Sequence, residues 1–162
     1  MRLFPKSKVK FEEVYEKYSD MLYRISLAYL SDSADAEDAV HDVFIKFMDA
    51  NPSFKDEIHE KAWFIRTVSN RCKDILRKKN IRRYSSLEEA KDVCDSKNTD
   101  ISDMLTVLET IDEKYREVIV LHYLEGLSAK ETAEALSISL SAVKMRLMRG
   151  RELLKNALEK EE

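Results

Sequence analysis

The chain has 162 residues, with 28 Lys and Arg against 31 Asp and Glu, for a formal net charge of −3. Two glycines and two prolines are too few for the turns of an all-β protein, so the composition points to an all-α fold. A hydrophobic share of 44% argues against global disorder, and apolar runs as short as Val118-Ile119-Val120-Leu121 fall far below the roughly 20 residues of a membrane span.

Residues 11–30 read as a first helix, with Phe11, Val14, Tyr15, Tyr18, Leu22, Ile25 and Tyr29 at steps of three and four. Small and polar residues at 31–34 break it. Residues 35–50 form the next helix, striped by Val40, Val43, Phe44 and Phe47. Asp35, Asp38, Asp42 and Asp49 line another side, which suits a basic protein partner or is simply a solvated face. Residues 51–60 read as a polar loop after Asn51-Pro52-Ser53.

Residues 61–79 predict a third helix with divided faces. Ile65, Val68, Cys72, Ile75 and Leu76 share the apolar side, while Trp63, Arg66, Asn70, Lys73 and Arg77 share the opposite one. Regularly spaced cations follow a phosphate backbone, and an aromatic stacks on opened bases. Trp63 at a helix start also fits a core position. Residues 81–100 are polar, acidic and weakly periodic, the best candidate for a linker, with room for a short helix at 87–91.

Helical periodicity returns over 101–111 and 112–124. Gly126 is placed for a left-handed helix cap, and Ser128 with Glu131 is a capping box that starts another helix, to about Leu136. Ser137-Ile138-Ser139 is a turn, and the last helix spans about 140–158. Two short helices joined by a tight turn, the second basic, describe a helix-turn-helix. Thr132, Leu136, Ile138, Val143 and Leu147 are spaced to form its core, with small Ala133 at the crossing and Leu140, Val143, Leu147, Leu154 and Leu158 on one side of the last helix. Ser141, Met145 and Arg149 fall opposite that side, where a recognition helix meets base edges, with Lys144, Arg146 and Ala142 on the flanks, and Lys144, Arg146 and Arg151 suit phosphate. A pair of amphipathic helices in a plain bundle shares some of these features.

Charge is sorted along the chain. Residues 31–60 carry nine acidic and two basic residues, and 61–83 carry one acidic and nine basic. This alternation suggests polyanion-facing surfaces beside a surface for a basic partner. Cys72 and Cys94 are isolated, and His41, His59 and His122 are scattered. No metal site, cofactor or catalytic constellation is expected. The start of the chain has no apolar signal core, so a cytoplasmic, reducing setting without membrane insertion is expected. A repressor or activator reading duplex DNA with the same helix-turn-helix is one rival, though it gives no reason for the Trp63 face. An enzyme acting on nucleic acid is another, and the acids at 35–42 would be its metal ligands; helical amphipathicity explains them without a metal.

The segments "DAEDAVHDVFIKFM", "KAWFIRTVSNRCKDILRKKN" and "YREVIVLHYLEGLSAKETAEALSISLSAVKMRLMRGRELL" in this order closely resemble the extracytoplasmic-function (ECF) sigma factors of bacterial RNA polymerase. The resemblance covers about 11–158. It implies two small helical domains: sigma region 2 over 1–80 and sigma region 4 over 101–162, joined by a flexible acidic linker over 81–100. It implies that Asp35, Asp38, Asp42, Val43 and Phe44 meet the β′ clamp helices of core polymerase. Asn51, Ser53 and Phe54 lie in a loop that captures a flipped base of the −10 element, and Trp63, Arg66, Asn70, Lys73 and Arg77 recognise and melt that element. The helix-turn-helix, through Ser139, Ser141, Ala142, Lys144, Met145, Arg146 and Arg149, reads the −35 element of promoter DNA and docks on the β flap. An anti-sigma factor is implied as a further partner. His41 stands where the family often has Gln, Ala142 where it often has Thr, and Gly150 where it often has Ala, the last at a cost of about 1 kcal/mol in helix propensity.

Overall fold

The computed structural model describes residues 3–85 and 99–160, and among these the regular structure is helical throughout. The elements are α1 (Leu3–Leu30), α2 (Ser33–Ala50), α3 (Glu57–Ser85), α4 (Thr99–Glu109), α5 (Glu113–Ile119), α6 (Ala129–Leu136) and α7 (Leu140–Lys160). A π-helical turn, Val120–Leu124, prolongs α5. No described helix is long and apolar enough to cross a membrane.

Local chemistry sets the boundaries. Asp32 caps α2 by accepting the Asp35 N–H at 2.9 Å. Asn51 ends α2 in the left-handed region at φ 44°, where Asn is among the best tolerated residues. Asp56 accepts the His59 N–H at 2.8 Å, so α3 begins four residues earlier than periodicity alone indicates. It also runs on to Ser85, into the expected linker, whose remainder, with the possible helix at 87–91, lies outside the described residues. Gly126 adopts φ 74°, as its place in the sequence requires.

The core is aromatic where α1, α2 and α3 meet. Phe64, fully buried, stacks on Tyr18 at 4.6 Å between centroids and contacts Phe47 at 5.3 Å and Phe44 at 5.7 Å. Such ring pairs contribute about 0.5–1.5 kcal/mol each beyond area burial. Tyr18 also donates to Glu60 at 2.8 Å, tying α1 to the first turn of α3. Cys72 is buried, and that burial pushes its thiol up to about 12. It behaves as a small hydrophobe.

Two small domains, as the resemblance implies, would each hold an apolar cluster of their own. Instead one large cluster runs from Val14, Leu22 and Ile25 of α1 through to Leu108, Ile119 and Leu121 of the second half. Helix α1 carries buried residues on more than one side, so it packs on α2 and α3 and also on α4 and α5. The smaller cluster is the helix-turn-helix core of Val118, Ala133, Val143 and Leu147, with Leu136 and Ile138 packed against it.

Gly150 explains how α5 and α7 approach. A Cβ there would lie 2.9 Å from Ile119 Cδ1 and 3.2 Å from Cγ1. The propensity lost by placing Gly in mid-helix is offset by this close crossing. A larger side chain at this buried site must displace Ile119, itself in the core. Gly150→Leu is therefore expected to lower unfolding free energy by about 3 kcal/mol, measured by urea denaturation, whereas in Gly150→Ala the crowding of one methyl against Ile119 Cδ1 and Cγ1 opposes the gain in helix propensity, and the net change is expected to be less than about 1 kcal/mol.

Candidate nucleic-acid interface

The helix-turn-helix forms as its caps dictate. Ser128 Oγ accepts the Glu131 N–H at 3.0 Å, and Glu131 Oε1 accepts the Ser128 N–H at 3.1 Å, completing the capping box. Ser137 turns left-handed at φ 57°, and Ile138 N–H donates back to Ala133 at 3.1 Å. Ser139 Oγ then accepts the Ala142 N–H at 3.0 Å and opens α7. Its hydroxyl oxygen is engaged as a cap, while Ser141, Lys144, Met145 and Arg149 are exposed along one side of α7. Met145 is 67% exposed. Ala142 is half-buried, and Arg146 turns inward towards Glu117, at 3.7 Å. Leu140, read from periodicity as part of the apolar side, is exposed; it begins the helix, beyond the reach of the small core.

On α3 the divided faces are present, but the polar one is only partly open. Asn70 and Arg77 are exposed, Arg77 beside Asp74 one turn away. Arg66 donates to the Glu134 carbonyl of α6 at 2.7 Å, and Lys73 pairs with Glu117 of α5 at 3.1 Å. Trp63 is half-buried, edge-on to Phe64 at 5.0 Å, Phe54 at 6.0 Å and Phe47 at 6.1 Å. It belongs to the edge of the core and to the surface at once. In the loop before α3, Asn51 and Ser53 are exposed, and Phe54 is half-buried with Lys10 over its ring at 5.6 Å.

The acidic helix divides in two. Asp42 accepts from Arg71 at 2.6 Å, and Asp35 pairs with Lys79, so both turn towards basic α3. Asp38 and Asp49 are exposed. Val43 and Phe44, assigned by resemblance to a partner surface, are 1% and 3% exposed. That assignment is corrected: both side chains point into the aromatic core. The exposed apolar residues of α2 are Ile45 and Met48, 51% and 55% exposed, seven and ten residues after Asp38 and so on its side of the helix. The apolar stripe read from spacing, Val40, Val43, Phe44 and Phe47, left both of them out.

Two family models match: the Sigma-70 region 2 model over 14–93 and the Sigma-70 region 4 model over 101–154. The chain is 30% identical to the ECF RNA polymerase sigma factor SigW of Bacillus subtilis, over 91% of this chain and 88% of that protein. The chain belongs to the ECF sigma factors. SigX of the same organism is 26% identical, with 92% of this chain and 84% of SigX covered. ECF sigma factor SigE of Mycolicibacterium smegmatis is 25% identical over 93% of this chain, which spans 62% of that longer protein. Two solved structures share the fold at TM-score 0.77: CnrH in complex with the cytosolic domain of CnrY, at 23% identity over 96% of this chain and 91% of that one, and the sigma factor RpoE with the anti-sigma factor NepR from Bartonella quintana, at 22% identity over 93% and 97%.

As an ECF sigma factor, the protein directs promoter-specific initiation of transcription. Two residues expected on the DNA-facing side of α3 instead contact the other region. Region 2 supplies Arg66 and Lys73, and region 4 supplies the acceptors Glu134 and Glu117. Glu117 and Tyr29, which donates to it, were missed by sequence reasoning. Glu117 follows Arg116 in the sequence, one turn after Glu113, and nothing local marks it as buried.

Proposed function

We propose that this sigma factor divides promoter recognition between α3 with its preceding loop, for the −10 element, and α7, for the −35 element. Residues 86–98 would link the two halves. The observation that carries this reading is the placing of cations on two separate helices, α3 seated in the large apolar cluster and α7 on the helix-turn-helix core. The exposed side of α2, with Asp38, Ile45 and Met48, docks on the clamp helices of core polymerase: the carboxylate steers, and the two apolar side chains supply buried area. Region 4 docks on the β flap. The chain itself makes and breaks no bond and works in the cytoplasm beside polymerase. An anti-sigma factor is its third partner, supported by the shared fold with RpoE, which was solved with the anti-sigma factor NepR.

Opening follows from attachment. Once polymerase holds the chain, DNA contact by either helix becomes intramolecular, at an effective concentration near millimolar for a short linker. Asn51 and Ser53 lie beside the aromatic edge formed by Phe54 and Trp63, where an unstacked base finds a π surface and polar partners. Asn70 and Arg77 continue the track along the strand. Mixing the purified chain with core polymerase and mapping transcript starts tests the reading. New starts with a shared upstream pattern support it, and tight operator binding that ignores core polymerase sinks it.

Two variants separate the steps. Trp63→Ala is expected to cut permanganate reactivity of the melted segment by roughly tenfold, from a stacking loss of about 1–3 kcal/mol, while gel shifts of the closed complex change little; equal loss in both assays refutes the role. A melting curve checks that the edge of the core survives. Arg149→Ala leaves Glu152 without its exposed partner at 3.1 Å, a pair of small worth. It is expected to weaken −35 binding by roughly tenfold and to abolish discrimination at one base pair, read by binding to operators substituted at each position.

A further inference from the structure

The exposed side of α7 carries an apolar strip that hydrogen bonds and phosphate contacts leave unexplained. Met145 and Met148 are 67% and 54% exposed. Their spacing of three makes them neighbours on the helix surface. Val143, Leu147 and Gly150 are the buried residues of α7 and fill its opposite side, so neither methionine belongs to the helix-turn-helix core. Ser141 lies one turn before Met145, and Lys144 and Arg149 flank the pair, all three exposed. The strip ends at the following turn, where Arg149 donates to Glu152 at 3.1 Å.

Each polar member of this face has a use on duplex DNA. Lys144 suits phosphate, Arg149 a guanine edge and Ser141 either. The two thioethers between them offer no such pairing. Hydrogen-bonding atoms line the major-groove edges of the bases, and the C5-methyl of thymine is the one methyl group displayed there. A single exposed hydrophobe is ordinary. Two adjoining ones, flanked by cations and set in the first three turns of a recognition helix, match an apolar spot within a polyanion. Methionine fits such a spot well, because its unbranched stem and polarizable sulfur adapt to the shape they meet.

We propose that Met145 is a specificity-determining residue that selects a thymine within the −35 element by packing on its C5-methyl, with Met148 extending the same apolar contact from the next turn. This deepens the assignment of α7 to the −35 element and rests on it. The chemistry fixes what is chosen. Cytosine presents a donor and no methyl at this edge, and uracil presents the O4 of thymine without the methyl. Met145 thus discriminates by desolvating a methyl, whereas Arg149 discriminates by hydrogen bonds. Burying one methyl is worth a few-fold in affinity.

Core polymerase carrying the full chain tests this on promoter duplexes whose transcript starts have been mapped. Each thymine of the −35 element, on either strand, is replaced in turn by deoxyuridine, which removes the methyl and keeps every hydrogen-bonding group. Wild type is expected to lose roughly fourfold in affinity at one of these thymines, read by gel shift. Met145→Ala is expected to bind the thymine and deoxyuridine duplexes equally at that position, and Met145→Leu to keep the preference. Alanine retains helix propensity at this exposed site, and circular dichroism checks the fold of both variants. Wild type indifferent to deoxyuridine at every thymine overturns the proposal. So does a preference that Met145→Ala keeps in full, or a −35 element with no thymine on either strand. Arg149→Ala separates the two ideas. If neither it nor Met145→Ala alters discrimination at any −35 base pair, the assignment of α7 falls. If Arg149→Ala relaxes one base pair while Met145→Ala relaxes none, the thymine contact alone falls.

Discussion

The buried carboxylate of Glu117 is the constraint on which the relation between the two halves depends. A charge at 5% exposure persists only where donors surround it, since the effective penalty of burying an ion is several kcal/mol. Three other helices provide them: Tyr29 from α1, Lys73 from α3 and Arg146 from α7. Tyr29 is a dependable donor because burial first, and the adjoining carboxylate second, hold its phenol protonated well above the ordinary range. The crossing of α5 and α7 over Gly150 keeps the recognition helix close enough to α5 for Arg146 to take part. A methylene-scale change in packing at one glycine and the electrostatics of the promoter-facing cations are therefore parts of one arrangement.

The same logic operates inside region 2. Nine basic residues within 61–83 would repel one another along a single helix. Arg71 and Lys79 are neutralised by Asp42 and Asp35 of α2, which turns the basic run into a two-sided surface, partly tied to α2 and partly presented outward. The aromatic block of Tyr18, Phe44, Phe47 and Phe64 fixes the rotation of α2 and α3 about their axes. That rotation decides which acids meet cations and which, like Asp38, remain on the surface beside Ile45 and Met48. The acidic character of α2 thus has an internal use and an external one, which its charge alone does not separate.

Features encoded within a few residues were legible from the sequence. The Ser128–Glu131 box, the left-handed Gly126, the turn before α7 and the buried side of α3 at Ile65, Val68 and Cys72 all follow from local spacing. Periodicity was less informative about how wide a buried stripe is. It placed Val43 and Phe44 in the apolar stripe of α2, where they are buried, while the resemblance put them on a partner surface; it also placed Leu140 inside, where the structure exposes it. The start of α3 depended on a capping Asp56 hidden in a polar loop. Contacts between the halves left no local trace, because Tyr29 and Glu117 are 88 residues apart, and Arg66 and Glu134 are 68 apart. Only the burial pattern of the assembled fold reveals that a face suited to nucleic acid also contacts protein.

Under the proposed division of promoter recognition, these pairings lead to the expectation of weak intrinsic DNA binding. A net charge of −3 disfavours approach to a polyanion, and several cations that would counter it are engaged by carboxylates of the same chain. Salt screens interactions beyond roughly 8 Å at physiological strength, so what counts is the local inventory on each face: Asn70 and Arg77 on α3, Ser141, Lys144 and Arg149 on α7. Each inventory is too small to select a site among genomic competitors, because each base pair contributes about 1–3 kcal/mol of discrimination. Attachment of both regions to one polymerase adds the two contributions along a single promoter. In the proposed reading it also sets their separation, so that spacing between the elements becomes a third thing read.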